Sequence, residues 1–181
     1  MAKSELVFEK LTRSHDRKNF DCGNFELNEF LKKAARQNIK KNLGITYVLT
    51  DSSKTIYGFY TIAASAVAVS NLPEELRSAL PGYPEIPAFL IARLAVDKEY
   101  SGKGLGETIL MRAFQRILEI SDKGGVHLIT VEAKDEKVVP FYSKYGFEPV
   151  PSNSKYLFIP VNTVKKAFSN SKSYLDSFSN D

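Results

Sequence analysis

The spacing of hydrophobic and polar residues changes several times along the first third of the chain, and each change marks a different predicted element. After Asn24, apolar side chains recur every three or four residues, which is the period of an amphipathic helix, and Gly44 follows the last of them. Two later segments rich in β-branched and aromatic residues are separated by the turn-like cluster 51–54, so they predict a hairpin. The predicted elements are a strand at 6–8, a helix at 24–42, and strands at 46–50 and 56–69.

Strands and helices alternate in the remainder of the chain. A mostly apolar run at 88–96 is typical of a strand that is buried on both faces, and a glycine-rich turn and a helix follow it. The three prolines of 81–87 predict an irregular or extended segment, because proline lacks the N–H group that a β-ladder needs. The other predicted elements are a short helix from Pro73, a helix at 107–121, a strand at 126–132, a helix at 135–145 and a strand at 155–161.

Length and composition favour one compact domain. The chain has 181 residues, of which 43% are hydrophobic, and we expect a single domain at 1–165 followed by a polar, flexible tail at 166–181. No apolar run approaches the length of about 18 residues that spans a bilayer, and the first residues lack the apolar centre of a signal peptide. We therefore expect a cytoplasmic protein with no membrane partner. One cysteine and two histidines exclude a disulfide framework and a Cys/His zinc cluster, so no metal is expected.

The net charge of +4 is distributed unevenly. Residues 1–44 contain ten basic and six acidic side chains, whereas residues 45–181 contain fifteen of each. Lys32, Arg36 and Lys40 are spaced four apart, on one side of the predicted helix. Such a row is more often a solvated helix face than a ligand-binding one, although it is also the electrostatic footprint of a surface that binds a polyanion.

A phosphate site is predicted where the strand at 88–96 meets the next helix. Glycine occupies alternate positions in 101–106, and the missing side chains allow backbone N–H groups to approach a ligand at the positive end of the helix. The spacing is neither the dinucleotide fingerprint G-x-G-x-x-G nor the phosphate loop G-x-x-x-x-G-K-[ST], which argues against NAD-binding and nucleotide-hydrolysing proteins. A different phosphate-bearing ligand is therefore expected.

At these residues the sequence resembles the GNAT acetyltransferases, whose pyrophosphate loop has the form [QR]-x-x-G-x-[GA]. Ser101 stands in place of the usual Gln or Arg, whereas the backbone amides of the loop are retained. The segments 131–135 and 141–147 resemble the family's fifth strand and the end of its following helix. The resemblance implies acetyl-CoA as the acetyl donor and an α/β (α+β) GNAT fold: a central mixed, mostly antiparallel sheet of six to seven strands, flanked by about four helices and splayed between strands four and five.

Within that superfamily the chain is most similar to the GNAT toxins of bacterial toxin–antitoxin pairs. The segments that carry this similarity are 20–24, 27–28, 46–48, 92–97, 133–136 and 157–160. The resemblance implies a toxin that acetylates the free α-amino group of an aminoacyl-tRNA and thereby blocks translation. It also implies neutralisation by a small ribbon-helix-helix antitoxin and the formation of a homodimer.

The resemblance assigns roles to individual residues as well. It implies that backbone amides of the strand before the glycines bind the pantetheine chain and the acetyl carbonyl. Tyr142 matches the family's general acid, because a phenol with an ordinary pKa of about 10 can donate a proton or a hydrogen bond to a departing thiolate. A tyrosine between aromatic neighbours on a helix would otherwise be taken as a packing residue. The implied cofactor-binding residues are Leu94, Ala95, Val96, Ser101, Gly102, Lys103, Gly104, Leu105, Gly106 and Glu107.

If the acceptor is a tRNA, basic side chains could contact its phosphates without reading its bases. The predicted nucleic-acid contacts are Lys33, Arg36, Lys40, Lys41 and Arg93. A general base is not required, because an α-amine with a pKa near 8 already has a useful neutral fraction at pH 7. Glu85, Asp97 and Glu132 are the possible proton acceptors.

Two other functions are compatible with these residues. One is a GNAT enzyme that acetylates a small-molecule amine or a protein N-terminus, which would share the donor chemistry and differ in the acceptor. The other is a protein that binds acyl-CoA or a partner without turnover, for which the serine at position 101 gives slight support and the intact Tyr142 argues against.

Overall fold

The computed structural model describes the backbone of residues 5–177 and the side chains of residues 5–171, and these residues divide into two compact units. The first unit contains the chain up to residue 64 together with 91–115, and the second contains 65–90 and the chain from residue 116 onward. The strands are β1 Val7–Lys10, β2 Ile45–Thr50, β3 Ile56–Ala68, β4 Glu85–Val96, β5 Leu128–Glu132, β6 Glu148–Val150 and β7 Asn153–Pro160. The helices are α1 Phe25–Glu29, a π-helical turn Phe30–Ala34, α2 Ala35–Lys40, α3 Glu74–Ser78, α4 Leu105–Ser121, α5 Val139–Lys144 and α6 Val161–Ser177. In the described part of the chain, no helix is long and apolar enough to cross a membrane.

The first unit is built on the predicted hairpin. β1 pairs with β2 and β2 with β3, both antiparallel. Asp51 shapes the turn between β2 and β3, where its carboxylate accepts hydrogen bonds from the N–H groups of Ser53 and Thr55. The helical segment that follows Asn24 packs its apolar side chains on this sheet. The buried core of the unit consists of Leu11, Phe20, Leu31, Ala35, Val48, Ile56, Phe59 and Ala95.

The helix predicted at 24–42 is interrupted by the π-helical turn. Its last N–H group, that of Ala35, donates to the carbonyl of Phe30, five residues earlier. Within this turn the carbonyl oxygen of Lys32 accepts a hydrogen bond of 2.7 Å from Nη1 of Arg17. Hydrophobic spacing could not reveal this turn, because the side chain that binds it comes from the loop before the helix.

The second unit contains an antiparallel sheet in the order β5-β7-β6. The N–H of His127 donates to the carbonyl of Pro87 at 2.9 Å, which places the first half of β4 beside the start of β5. The buried core of this unit consists of Val67, Val69, Leu72, Ile86, Ala88, Leu128, Val150 and Phe158.

Two strands of the second unit differ from the predictions. β4 begins at Glu85, before the predicted strand start at 88 and inside the segment 81–87 that is predicted to be irregular or extended, because Pro87 lacks an N–H group but still offers its carbonyl to a neighbouring strand. β6 has no counterpart among the predicted elements, since a strand of 3 residues is too short to show a periodic pattern.

The C-terminal helix also extends further than predicted. The expected domain boundary falls at residue 165, whereas α6 continues to Ser177 through most of the predicted tail at 166–181. Val161 and Val164 are buried and lie one helical turn apart, so they anchor the start of α6. Residues 178–181 lie outside the described residues.

The seven strands follow the order β1-β2-β3-β4-β5-β7-β6 in a mixed sheet in which β4 and β5 are parallel. The prediction of a mixed, mostly antiparallel sheet of six to seven strands is therefore confirmed. The described residues form six α-helices rather than about four, because the π-helical turn divides the first predicted helix and α6 replaces the tail.

Gly58 allows β3 to lie close to the elements that carry the glycine-rich turn. A Cβ atom at this position would lie 2.8 Å from the carbonyl oxygen of Ala95 on β4, and it would collide with the side chain of Ile109 on α4. A real Cβ does not approach a backbone carbonyl that closely, so a larger residue would have to displace β4.

We predict that Gly58→Ala lowers the free energy of unfolding by about 1–3 kcal/mol, the usual cost of overpacking. Gly124→Ala is the matched control, because a Cβ at Gly124 would meet nothing within 4 Å. Urea denaturation of both variants checks this. Equal stability of Gly58→Ala and the control would contradict the close approach of β3 to β4.

Candidate active site

The glycine turn, residues 101–104, has the backbone geometry of an anion-binding loop. Gly102 and Gly104 adopt φ values of +75° and +80°, in the left-handed region. A Cβ at either position would meet nothing within 4 Å, so the glycines are required by backbone conformation and not by lack of space. Left-handed residues in a turn can direct successive N–H groups into one concavity. The turn is exposed, so a phosphate group can reach it.

The glycine turn leads directly into the N-terminus of α4, a helix of 17 residues. The first N–H groups of an α-helix have no intrahelical partner and carry partial positive charge, which favours a bound anion. Leu105 and Gly106 are half-buried in this first turn, whereas Glu107 is exposed. The side chain of Lys103 folds back, so that Nζ donates to the carbonyl of Glu99 at 3.0 Å and lies 5.0 Å from the centre of the Tyr100 ring. Its ammonium group thus stays beside the turn.

Asp97 fixes the end of β4 in front of the glycine turn. Its N–H donates to the carbonyl of Tyr57 on β3 at 2.9 Å. Its buried carboxylate accepts hydrogen bonds from the N–H groups of Glu99 and Asp21, both at 3.0 Å. These contacts make Asp97 a structural anchor and argue against its role as a proton acceptor.

The other predicted residues of β4 and the remaining proton acceptors differ in exposure. Ala95 is buried, and Leu94 and Val96 are half-buried, which suits a strand that offers mainly its backbone. Glu85 and Glu132 are both exposed, as expected for ordinary surface carboxylates.

Tyr142 lies on α5 in the second unit, and 7% of its surface is exposed. Its ring contacts Phe141 and Phe147 edge to face, with ring centres 5.1 and 5.6 Å apart. Burial raises the pKa of Tyr142 to about 12. Among residues 5–171 its hydroxyl has no hydrogen-bond partner. The phenol is therefore fully protonated at neutral pH and free to donate to a bound group.

The predicted nucleic-acid contacts occupy different environments. Lys33 is exposed but forms an ion pair with Glu29, four residues before it. Lys40 and Lys41 are exposed at the end of α2. Arg93 is also exposed, and its guanidinium lies 4.8 Å from the centre of the Phe30 ring in a cation–π contact. The predicted nucleic-acid contacts therefore do not form one uniform row.

Arg36 lies near two further arginines, which the hydrophobic spacing of the predicted helix does not reveal. Partial burial, and then the charges of Arg13 and Arg17, lower the pKa of Arg36. Both neighbours belong to the basic excess of the first 44 residues, but they precede the helix whose periodicity drew attention to the lysines. Only folding brings them to Arg36.

A cavity of about 440 Å³ lies in the first unit, next to the anchored end of β4. Three of its carboxylates already serve the protein: Asp16, Asp21 and Asp97 each accept hydrogen bonds from backbone N–H groups. Lys98 forms an ion pair with Asp21 and, together with the Gly23 amide and the Asn28 side chain, holds the pKa of that carboxyl well below its ordinary value. The polar lining of the cavity therefore stabilises the loops around it.

Comparison with protein families identifies the chain. Residues 42–149 match the model of the acetyltransferase (GNAT) domain. The chain belongs to the GNAT acetyltransferase family. This membership confirms the resemblance that the glycine turn indicated, and it accounts for the parallel pair β4 and β5 as part of the GNAT fold.

Two curated relatives of this GNAT chain are toxins. A probable toxin TacT of Sinorhizobium fredii is 35% identical over 159 residues, which cover 83% of this chain and 88% of the relative. A tRNA-acetylating toxin of Mycobacterium tuberculosis is 29% identical over 156 residues, which cover 86% of this chain and 92% of that one.

Two solved structures extend this similarity. AtaT in complex with acetyl-methionyl-tRNAfMet has a TM-score of 0.84 at 30% identity, covering 91% of this chain and 99% of AtaT. A tyrosine-to-phenylalanine variant of AtaT bound to acetyl-CoA and the C-terminus of the antitoxin AtaR has a TM-score of 0.77 at 28% identity, covering 91% of this chain and 99% of that one.

We predict that Gly104→Ala weakens the binding of coenzyme A by about tenfold, because a left-handed conformation costs an alanine about 1–2 kcal/mol. The change removes no side-chain contact, so its effect isolates the backbone geometry of the glycine turn. Isothermal titration calorimetry with coenzyme A measures it, with Gly124→Ala as the control outside the turn. An unchanged dissociation constant for Gly104→Ala would show that the turn does not bind the cofactor's phosphates.

Proposed function

We propose that this protein is a toxin that transfers an acetyl group from acetyl-CoA to the α-amino group of an aminoacyl-tRNA and thereby inhibits translation. The observation that carries the proposal is the glycine turn in front of α4, with two left-handed glycines, in a chain whose relatives include a tRNA-acetylating toxin. The basic excess of the first 44 residues supports a polyanionic acceptor.

Acetyl-CoA would supply the activated acetyl group as a thioester, and backbone groups of the first unit would bind it. The exposed N–H groups of the glycine turn and the first turn of α4 suit the pyrophosphate. Backbone amides of β4 would bind the pantetheine chain and the acetyl carbonyl. Ser101 is exposed and provides a shorter side chain than the Gln or Arg usual in the family, so we assign most of the phosphate binding to the backbone. The proposed cofactor-binding residues are Leu94, Ala95, Val96, Ser101, Gly102, Lys103, Gly104, Leu105, Gly106 and Glu107.

Tyr142 is the proposed general acid. As the amine attacks and the carbon–sulfur bond breaks, the hydroxyl of Tyr142 would hydrogen-bond to the departing sulfur and then pass its proton to it, so that coenzyme A leaves as the thiol. Tyr142 would regain a proton from water, which takes up the surplus proton of the amine. The pKa of about 12 lies above the value of about 8.5 for a thiol, which favours hydrogen bonding over early, complete proton transfer. Backbone N–H groups of β4 would stabilise the negative charge on the carbonyl oxygen.

The attacking amine needs little help from the protein. The neutral fraction of an α-amine with a pKa near 8 is sufficient at pH 7, and its surplus proton can pass to water. Asp97 is engaged by two N–H groups, and Glu85 and Glu132 are exposed. We therefore propose that no side chain acts as an obligatory general base.

Basic side chains of the first unit would hold the tRNA through its phosphates. The proposed contacts are Lys33, Arg36, Lys40, Lys41 and Arg93. Of these, Lys40 and Lys41 are exposed at one helix end, whereas Lys33 would first have to leave Glu29. Contacts of this kind give affinity that falls steeply with salt and does not depend on base sequence.

The proposed partners follow from the toxin assignment. AtaT has been solved with the C-terminus of its antitoxin AtaR, and we propose that this chain likewise binds an antitoxin. We further propose that the antitoxin has a ribbon-helix-helix fold, that the toxin forms a homodimer, and that it acts in the cytoplasm, where charged tRNA is used. A cationic surface that holds tRNA would also attract an acidic antitoxin segment.

We predict that Tyr142→Phe lowers kcat by about 10²- to 10⁴-fold, the usual contribution of a general acid, with little change in the affinity for acetyl-CoA. The pKa is raised, so the hydroxyl stays protonated at all pH values well below 12, and no loss of rate in that range should come from its ionisation. Stopped-time acetylation assays measure kcat, and calorimetry measures donor affinity. Tyr145→Phe is the matched control on the same helix segment; a folded Tyr142→Phe protein with normal kcat would refute the assignment.

We predict that the protein transfers labelled acetyl groups to total charged tRNA and not to the same tRNA after deacylation. Hydrolysis of the product and mass spectrometry of the released N-acetyl amino acids identify the acceptor, with Tyr142→Phe as the blank. Acetylation of polyamines or peptide N-termini in place of charged tRNA would contradict the proposal and support a small-molecule or protein N-acetyltransferase.

A further inference from the structure

Three arginines lie near one another on the surface of the first unit, although Arg36 is far along the sequence from the other two. Arg13 and Arg17 belong to the loop between β1 and α1, and Arg36 belongs to α2. Nη1 of Arg17 donates to the carbonyl of Lys32 at 2.7 Å, which holds its guanidinium about one helical turn before Arg36. After the larger effect of partial burial, the charges of Arg13 and Arg17 lower the pKa of Arg36, as expected for neighbouring cations. We call these three residues the arginine cluster.

The loop that carries Arg13 and Arg17 is fixed on both sides. The N–H of Thr12 donates to Nδ1 of the buried His15 at 3.0 Å, and the N–H of Asp16 donates to the carbonyl of Lys54 at 2.9 Å. The side chains of Arg13 and Arg17 therefore extend from a loop that these hydrogen bonds hold in place. A ligand that binds them loses little free energy in ordering the loop.

The charges of the arginine cluster are not paired with carboxylates in the described part of the chain. None of its members forms an ion pair there. The adjacent carboxylate, that of Asp16, instead accepts hydrogen bonds from the backbone N–H groups of Lys18 and Asn19. Cations held together in this way repel each other, and a bound anion removes that repulsion.

We propose that the arginine cluster binds the phosphate backbone of the RNA acceptor, with Arg13 and Arg17 as contacts in addition to those on α2. This inference rests on the proposed function. Guanidinium groups suit the site because their planar forks bind phosphate oxygens in pairs, and because they remain charged even when other cations are close. The cluster reads no base, so it would hold different tRNAs equally well and contribute affinity that depends on salt.

The test measures the affinity of the full-length protein for total deacylated tRNA as a function of KCl concentration. Arg13→Gln is the clean variant, because Arg13 is exposed on the loop surface. We expect the slope of log affinity against log salt to become less negative by about one for Arg13→Gln and by about two for Arg13→Gln/Arg17→Gln. Arg77→Gln is the matched control, since it removes one exposed arginine of α3 that is paired with Glu74; its slope should equal that of the wild type.

Further measurements are needed. Coenzyme A affinity and melting temperature distinguish a binding role of the cluster from a structural one, and acetylation of charged tRNA tests the proposed function separately. Coenzyme A affinity and the melting temperature of Arg13→Gln should match those of the wild type. A wild-type slope for Arg13→Gln would overturn the inference even if the protein acetylates charged tRNA. The inference would also be overturned if Arg13→Gln kept the wild-type salt dependence of tRNA binding but no longer bound a poly-glutamate peptide. The cluster would then bind an acidic protein segment. A wild-type protein that acetylates no charged tRNA would refute the proposed function alone, and the slopes would still decide whether the cluster binds RNA.

Discussion

The buried carboxylate of Asp97 joins three parts of the first unit that are separate in the sequence. It accepts hydrogen bonds from the N–H of Glu99, in the turn before the glycines, and from the N–H of Asp21, in the loop before α1. The backbone N–H of Asp97 donates to the carbonyl of Tyr57 on β3. A buried carboxylate is stable only when such donors satisfy it. The position of the glycine turn, and with it the proposed cofactor site, therefore depends on this one hydrogen-bonded residue.

Two tyrosines with the same raised pKa show why the cause of a shift matters more than its size. The hydroxyl of Tyr57 donates to the carboxylate of Asp51, and that hydrogen bond is the main reason why its pKa rises to about 12. Burial alone raises the pKa of Tyr142 to the same value. The proton of Tyr57 is already committed to a structural partner, whereas that of Tyr142 is not. Only the second environment suits a proposed acid.

The same distinction between committed and free groups applies to the cations. Lys33 and Lys98 have acidic partners at Glu29 and Asp21, so their charges already serve the protein's own surface. The arginine cluster has no such partner among the described residues. The presence or absence of an acidic partner thus indicates which basic residues are available to bind a polyanion. The number of basic residues alone does not.

The sequence by itself determined the features that depend on near neighbours. The period of apolar residues after Asn24, the β-branched and aromatic residues of β2 and β3, and the glycines before α4 predict the local structure, because helix, strand and left-handed turn are properties of short segments. The tertiary structure alone decided that Arg17 binds the π-helical turn and that Asp97 is an anchor and not a base. These depend on contacts between residues that lie far apart in the chain, and burial, hydrogen bonding and charge pairing are set only when folding brings such residues together.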